Sequence, residues 1–195
     1  MTGKRVTDAL GAFVVLFLAA PGLLVIWLAV RVRLGSPALF RQRRVGLGGT
    51  TFELLKFRSM SPDAGGAVSD ESRLTRFGRW LRATSLDELP SFWNVLRGEM
   101  SLVGPRPLVL GYLLLYSPRQ ARRHEVRPGI TGWAQVNGRN AVGWKSRLEM
   151  DVWYVENQSL LLDLKILAMT VVKVLRREGI AQPGHATMTP FRGEH

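Results

Sequence analysis

The sequence predicts a mainly helical α+β protein, with one N-terminal membrane helix and a single small domain at the membrane surface. Three observations support this fold class. The chain is apolar and uncharged from Ala9 to Val30, most later segments have amphipathic helical patterns, and residues 36–60 have the pattern of two short strands around a glycine turn. With 195 residues, the chain is long enough for one domain with its own core.

The apolar run would form a helix about 33 Å long, which is enough to cross the hydrocarbon core of a bilayer. Lys4 and Arg5 precede the run and further arginines follow it, so both flanks carry the positive charge that favours the cytoplasmic side. Pro21 removes a helix hydrogen bond near the middle. Two alternatives therefore stay open: a helix that spans the bilayer, and a re-entrant helix that breaks near Ala20-Pro21 and returns to the same face.

The composition indicates which partners the chain binds. Lys and Arg number 27 against 15 Asp and Glu, and the net charge of +12 suits nucleic acid, an anionic membrane or phosphorylated substrates. The six tryptophans lie beside basic residues, as is common at the headgroup level of a bilayer. Together with the apolar run, they favour membrane lipid and not nucleic acid as a partner. Cysteine is absent, which excludes disulfides and thiolate metal sites.

The same patterns set the boundaries of the parts. We predict a membrane helix over residues 1–35, a surface domain over residues 36–180, and a flexible tail over residues 181–195. In the first half of the domain we predict a loop at 61–72, a short basic helix, and an amphipathic helix that ends at Gly98. A rigid proline turn at 101–107 and a helix at 108–116 follow. In the second half we predict a loop with short extended pieces at 129–144, a helix at 147–157, and a packed or interfacial helix at 159–179.

Asp87 and Glu88 form an acidic pair between two arginine-bearing segments of a basic chain. One explanation is structural: Ser85 caps a helix, and the two acids favour the positive N-terminal end of that helix. The other explanation is chemical: one carboxylate attacks a phosphate, the other holds a metal, and arginines bind the phosphate oxygens. The residues by themselves leave both explanations open.

The basic residues offer candidate phosphate ligands. Arg106 has a proline on each side, and the restricted backbone favours a preorganised phosphate clamp. On a strand, Lys56 would point to the face opposite Leu55 and Phe57, either toward a substrate or simply toward solvent. The chain contains neither GxGxxG before a helix nor GxxxxGK[ST], so the common nucleotide-binding loops have no support.

Six stretches, running in order from residue 4 to residue 171, match one known family. They are KRVTDALGAF, GSPALFRQRRVG, LLKFRSM, TRFGRWLRATSLDELPSFWNVLRGEMSLVGPRP, RHEVRPGITGWAQVNGRN and DVWYVENQSLLLDLKIL. Through them the chain resembles the bacterial sugar transferases of the monotopic phosphoglycosyl transferase type. The DELP and GPRP blocks together are very specific for that family.

The resemblance implies a re-entrant N-terminal helix in one leaflet of the bacterial inner membrane, with the catalytic domain on the cytoplasmic face. It implies a minimal catalytic form, since the multi-span N-terminal extension of larger relatives is not in this sequence. The serine that often precedes the proline of the break is Ala20 here. Other groups, such as Thr7 or Trp27, would have to satisfy a carbonyl that Pro21 frees.

The resemblance also implies an activity. Enzymes of this type transfer a sugar-1-phosphate from a UDP-sugar to polyprenol (undecaprenyl) phosphate and release UMP, with Mg²⁺ as cofactor, in the first membrane step of lipid-linked glycan or exopolysaccharide assembly. Asp87 matches the nucleophile, which forms an aspartyl-phosphosugar intermediate, and Glu88 matches the magnesium-associated acid. The matching phosphate-binding positions are Lys56, Arg82 and Arg106.

A second hypothesis from another class is a non-catalytic, basic adaptor at the membrane surface. In that protein Asp87 would be a replaceable helix cap, and UDP-sugar turnover would be absent. The sequence is compatible with a homodimer, and it does not specify which sugar is transferred.

Overall fold

A computed structural model describes residues 2–61, 70–138, 142–176 and 190–193. The helices are α1 (Thr2–Leu34), α2 (Asp70–Arg73), α3 (Arg76–Ala83), α4 (Ser91–Arg97), α5 (Pro118–Ala121), α6 (Trp133–Asn137), α7 (Trp144–Asn157) and α8 (Leu160–Arg176). The strands are β1 (Leu39–Val45), β2 (Thr51–Phe57), β3 (Ser101–Val103) and β4 (Gly129–Thr131). The prediction of a mainly helical α+β fold with a short β element and a long apolar N-terminal helix is confirmed.

Two small sheets carry the segments around the site. Strands β1 and β2 form an antiparallel hairpin, and its turn contains Gly48 and Gly49 with φ of 61° and 80°, a conformation that favours glycine. The register pairs Phe40 with Lys56, so Lys56 does lie on the face opposite Leu55 and Phe57. Strands β3 and β4 form a parallel pair, which brings residues 101–103 beside residues 129–131.

Helix α1 extends without interruption from Thr2 to Leu34 and contains Pro21. The predicted break near Ala20-Pro21 therefore does not appear as a gap in the helix. The helix is long and apolar enough to cross a membrane. Its central side chains are largely exposed, and the most exposed large ones are Phe13, Phe17, Leu18, Leu24 and Val25.

Both ends of α1 pack on the same domain. Near its start, Ala12 is fully buried in a cluster with Val95 and Met100. Near its end, Val30 is fully buried in a cluster with Leu81. The apolar middle of the helix thus lies between two anchored ends.

The C-terminal part of the domain is helical. Tyr154 of α7 and Ile166 of α8 share a buried cluster with Val103 of β3, which ties these helices to the second sheet. Helix α6 is an addition to the predicted elements, because residues 129–144 were expected to be a loop with extended pieces. Its Trp133 stacks on Trp153 of α7, with ring centroids 4.7 Å apart, and this packing accounts for the short helix.

Two segments that the sequence predicts to be irregular contain ordered residues in the part that the structure describes. Phe191 is 5% exposed, and its backbone N–H donates to Tyr112 Oη at 3.1 Å. Phe191 fills an apolar cluster, so residues 190–193 of the predicted tail pack on the domain. The other residues of that tail, 181–189 and 194–195, lie outside the described part of the chain. The predicted loop at 61–72 falls largely on residues 62–69, which are outside the described part, and helix α2 begins within its last residues at Asp70.

Candidate active site

The acidic pair lies in a 3-10 turn, Leu86–Glu88, between α3 and α4. Ser85, directly before it, has φ 56° and ψ 15°, a left-handed conformation that is uncommon for serine. Its side chain makes no capping hydrogen bond, and the next α-helix begins only at Ser91. The predicted Ser85 side-chain cap is therefore not formed, and the two acids lie at the start of a three-residue 3-10 turn and not of an α-helix.

Glu88 is the centre of a three-residue charge cluster. Its Oε1 accepts from Lys56 Nζ at 2.5 Å and from Arg106 Nη2 at 2.8 Å. Among the described residues, no group donates to the second carboxylate oxygen, Oε2. Removal from water alone would raise the pKa of Glu88, but the charges and hydrogen bonds of Arg106 and Lys56 outweigh it and lower the pKa. Glu88 is therefore ionised at neutral pH.

The three members of this cluster come from three parts of the fold. Lys56 lies on β2, Glu88 in the 3-10 turn, and Arg106 in the loop after β3. Burial lowers the pKa of Lys56, and the charge of Glu88 partly offsets that effect. The charge of Glu88 raises the pKa of Arg106. The site thus holds two cations around one carboxylate and carries an excess of positive charge.

Asp87 has a different environment, although it is the next residue. It is 7% exposed, and it forms no hydrogen bond or ion pair with a described residue. Burial, together with the negative charge of Glu88, raises its pKa from 3.8 to about 6. A buried carboxylate that is ionised at neutral pH and bound to no cation is available to act as a nucleophile or base.

Arg82, on α3, is the remaining predicted phosphate ligand. Its Nε donates to Ser59 Oγ at 2.9 Å, which fixes the guanidinium next to the end of β2. Its positive charge acts to lower the pKa of Asp87. The structure therefore brings Lys56, Glu88 and Arg106 into direct contact. Arg82 and Asp87 form no hydrogen bond or ion pair with these three side chains, but the charges of Lys56, Arg82, Glu88 and Arg106 all affect the pKa of Asp87.

A small cleft opens at the charge cluster. Two residues that line it, Arg44 and Ser91, are missing from the predicted site. Arg44 pairs with Phe52 in the hairpin, so it shares a sheet face with Lys56, and strand alternation was the signal that could have found it. Burial and the nearby Arg106 lower the pKa of Arg44 to about 10, so it adds a further positive charge to the cleft.

The donor set fits one kind of metal ion. The described residues contain no cluster of three or more His, Cys, Asp or Glu side chains that could enclose a metal. Mg²⁺, however, is commonly bound by one or two carboxylates together with substrate phosphates. Glu88 Oε2 and the Asp87 carboxylate are such oxygens, and the surrounding cations suit a phosphate-bearing substrate.

An acidic pair amid buried cations, on a domain joined to an apolar helix, suits an enzyme that handles phosphate groups at a membrane. The chain belongs to the bacterial sugar transferase family, whose model matches residues 1–177. The predicted family is thus confirmed.

The curated relatives that the chain matches are also named as sugar transferases or sugar-phosphate transferases. The chain is 52% identical to the uncharacterized sugar transferase EpsL of Bacillus subtilis, over 97% of this chain and 96% of that protein. It is 45% identical to the UDP-glucose:undecaprenyl-phosphate glucose-1-phosphate transferase of Caulobacter vibrioides, over 88% of this chain and 69% of that one. It is 38% identical to the undecaprenyl-phosphate galactose phosphotransferase of Salmonella typhimurium, over 90% of this chain and 41% of that one.

Proposed function

We propose that this protein transfers a sugar-1-phosphate from a UDP-sugar to undecaprenyl phosphate and releases UMP, in the first membrane step of lipid-linked glycan assembly. The observation that carries the proposal is Asp87, a buried carboxylate beside the Lys56–Glu88–Arg106 cluster that has no cation partner among the residues the structure describes. The names of the relatives support the two substrate classes, UDP-sugar and undecaprenyl phosphate.

The proposed reaction has two displacements at one phosphorus atom. In the first, an oxygen of the Asp87 carboxylate attacks the phosphorus that bears the sugar, and the bond to the bridging oxygen breaks as UMP leaves with its electron pair. In the second, a phosphate oxygen of the lipid attacks the same phosphorus, and the carboxylate leaves. The aspartyl-phosphosugar intermediate divides one difficult transfer into two steps and restores Asp87.

The cations would make the first attack feasible. A diphosphate repels an anionic nucleophile unless its charge is neutralised, and Lys56, Arg82 and Arg106, which lie near the carboxylates, would supply that neutralisation. Glu88, together with substrate phosphate oxygens, would hold Mg²⁺, which when bound supplies further positive charge to the diphosphate. Glu88 also keeps Lys56 and Arg106 in place through its Oε1.

We further propose that α1 is re-entrant and that the domain lies on the cytoplasmic face of the inner membrane. Arg5 of α1 donates to the carbonyls of Val95 and Leu96 at 2.6 and 2.7 Å, and Val30 packs in the same domain. A helix that crossed the bilayer would have one of these ends on the opposite side. Exposed tryptophans suit a nearby headgroup layer; they are Trp27, Trp80, Trp93 and Trp153.

Cysteine labelling tests this topology. The natural chain has no cysteine, so Thr2→Cys and Ser61→Cys each introduce a single reporter. We expect both to react with a membrane-impermeant maleimide only after the inner membrane is opened, because both ends of α1 lie on one side. Labelling of Thr2→Cys in intact spheroplasts, with Ser61→Cys still protected, would establish a spanning helix.

A UMP burst tests the proposed chemistry. With a UDP-sugar and Mg²⁺ but no lipid acceptor, we expect UMP release of up to one equivalent per enzyme, and a sugar-phosphate mass added to Asp87. Stopped reactions would be read by intact-protein mass spectrometry across a panel of UDP-sugars, which also identifies the sugar. Product that forms only when both substrates are present, without burst or adduct, would point to direct transfer. No turnover with any sugar would favour the membrane-surface adaptor.

A further inference from the structure

The loop that carries Arg106, residues 104–108, is held by its carbonyl oxygens. Pro105 and Pro107 have no N–H, so they cannot donate to a strand ladder. Four consecutive carbonyls accept hydrogen bonds from other segments instead. The donors to carbonyls 105, 106, 107 and 108 are, in that order, Gly129 N at 3.0 Å, Arg123 Nη2 at 2.7 Å, Arg44 Nη1 at 3.3 Å and Val45 N at 3.2 Å.

The donor to the Arg106 carbonyl belongs to a buried ion pair. The side chains of Arg123 and Asp151 are 1% and 2% exposed, and Arg123 Nη2 and Nε lie 2.7 and 3.2 Å from Asp151 Oδ2. The same Nη2 donates to the Arg106 carbonyl, while Nη1 donates to Tyr116 Oη at 3.3 Å. All three nitrogens of this guanidinium are therefore engaged, and its orientation is fixed.

A buried ion pair is a poor means of stabilising a fold. The desolvation of two charges offsets most of their attraction, and apolar residues of similar size often stabilise a core as well or better. Arg123 of this pair donates to the backbone carbonyl of Arg106. Arg106 is the loop residue whose side chain binds Glu88, at 2.8 Å. This placement is better explained by a need to fix Arg106 than by stability.

We propose that Arg123 and Asp151 are positioning residues that hold Arg106 in register with Glu88 and with the substrate phosphate. The inference rests on the proposed function, in which Arg106 binds a phosphate oxygen. Asp151 aligns the guanidinium of Arg123, and Arg123 fixes the carbonyl from which the Arg106 side chain extends. Neither residue needs to touch the substrate, and a shift of about 1 Å at such a site can lower a rate about 100-fold.

Arg123→Lys is the first test. Lysine retains the positive charge opposite Asp151, but it lacks the planar fork that serves two acceptors in fixed directions. We expect kcat to fall roughly 10- to 100-fold, with a smaller change in KM for the UDP-sugar. Circular dichroism and the thermal midpoint would show that the variant is folded.

Arg122→Lys is the matched control. Arg122 is the preceding residue, and it also binds α7, through Glu156 at 2.6 Å, but it is 39% exposed and does not contact the Arg106 loop. We expect its kcat to stay within about twofold of the natural protein, because an exposed ion pair contributes little. A loss equal to that of Arg123→Lys would show that any weakening of this helix contact lowers the rate, and would overturn the proposal.

A double-mutant cycle separates positioning from a general structural role. If Arg123 acts through Arg106, then Arg123→Lys should lower the rate by less than about twofold once Arg106→Ala is present. Equal losses in both backgrounds would overturn the proposal. Single-turnover UMP release at high enzyme concentration keeps the slow Arg106→Ala background measurable.

A second pair of changes covers the case in which Arg123→Lys does not fold. The double variant Arg123→Gln, Asp151→Asn removes both charges and leaves neither one buried alone. In the same cycle it should lower kcat in the natural background and change it little with Arg106→Ala. Absence of UMP release by the natural protein would instead count against the proposed function, so the two failures are distinguishable.

Discussion

Asp87→Asn is expected to lower turnover by roughly 10³-fold or more and to leave the protein at least as stable at pH 7. Asparagine has nearly the same shape as aspartate, but its amide cannot form the acyl phosphate. The UMP burst and the sugar-phosphate adduct should disappear together. An Asp87→Asn variant that retains turnover would remove Asp87 from the role of nucleophile.

The stability part of this prediction follows from the raised pKa of Asp87. The folded-state pKa is about 6, against an ordinary value of 3.8. Between these two pH values the folded protein binds more protons at Asp87 than the unfolded chain does, so the contribution of Asp87 to stability falls as pH rises from about 4 to 6. At pH 7 the ionised group costs up to about 3 kcal/mol, and Asn removes that cost. Thermal unfolding at pH 4 and pH 7 measures the difference.

Activity should show the opposite dependence on pH. An ionised Asp87 is required for attack, so the burst rate should rise as pH increases through about 6. The site therefore gives up folded-state stability in the same pH range in which it gains reactivity. A burst rate that stays flat between pH 5 and 7.5 would show that ionisation of Asp87 does not limit the first step.

Much of the local structure near the acidic pair is predictable from the sequence, because short-range rules set it. The amphipathic helix ends at Gly98, as predicted, since that residue adopts φ 83° and can do so without strain. The glycine turn of the hairpin follows from the same rule. Ser85 is an exception, because it adopts a left-handed conformation and a serine gives no local signal for it.

The contacts within the site depend on tertiary packing and are harder to predict. Lys56 and Glu88 are separated by 32 residues, and Glu88 and Arg106 by 18, so no sequence period brings them together. Only the family resemblance indicates the roles of Lys56, Glu88 and Arg106, and the structure adds the contacts between them. Arg123 and Asp151 lie outside the predicted site, because a buried ion pair against a backbone carbonyl has no sequence pattern.

Glu88→Gln is expected to lower turnover by roughly 100-fold or more and, unlike Asp87→Asn, to destabilise the protein. Glu88 is the common counter-charge of Lys56 and Arg106, and its amide replacement leaves two cations close together without one. We expect a loss of about 3 kcal/mol at pH 7. A neutral amide is also a much poorer ligand for Mg²⁺ than a carboxylate.

The pH dependence distinguishes Glu88 from its neighbour. Arg106 and Lys56 hold the pKa of Glu88 below its ordinary 4.5, so its stabilising contribution is present above that pH and is lost as pH falls below it. The natural protein should therefore be more stable than Glu88→Gln above about pH 4.5, and this advantage should shrink below that pH. Asp87→Asn has the opposite sign, because there the variant is the more stable protein and its advantage grows as pH rises from about 4 to 6.

Glu53→Gln is the matched control for this experiment, because Glu53 is an exposed glutamate on the same strand as Lys56, with only a 3.7 Å pair to Arg41. We expect it to change stability and turnover little, since exposed pairs contribute about 1 kcal/mol or less. Turnover of the natural protein should stop in excess EDTA and return with Mg²⁺. Equal turnover with and without EDTA would restrict Glu88 to holding Lys56 and Arg106, and the loss caused by Glu88→Gln would then come from those two cations alone.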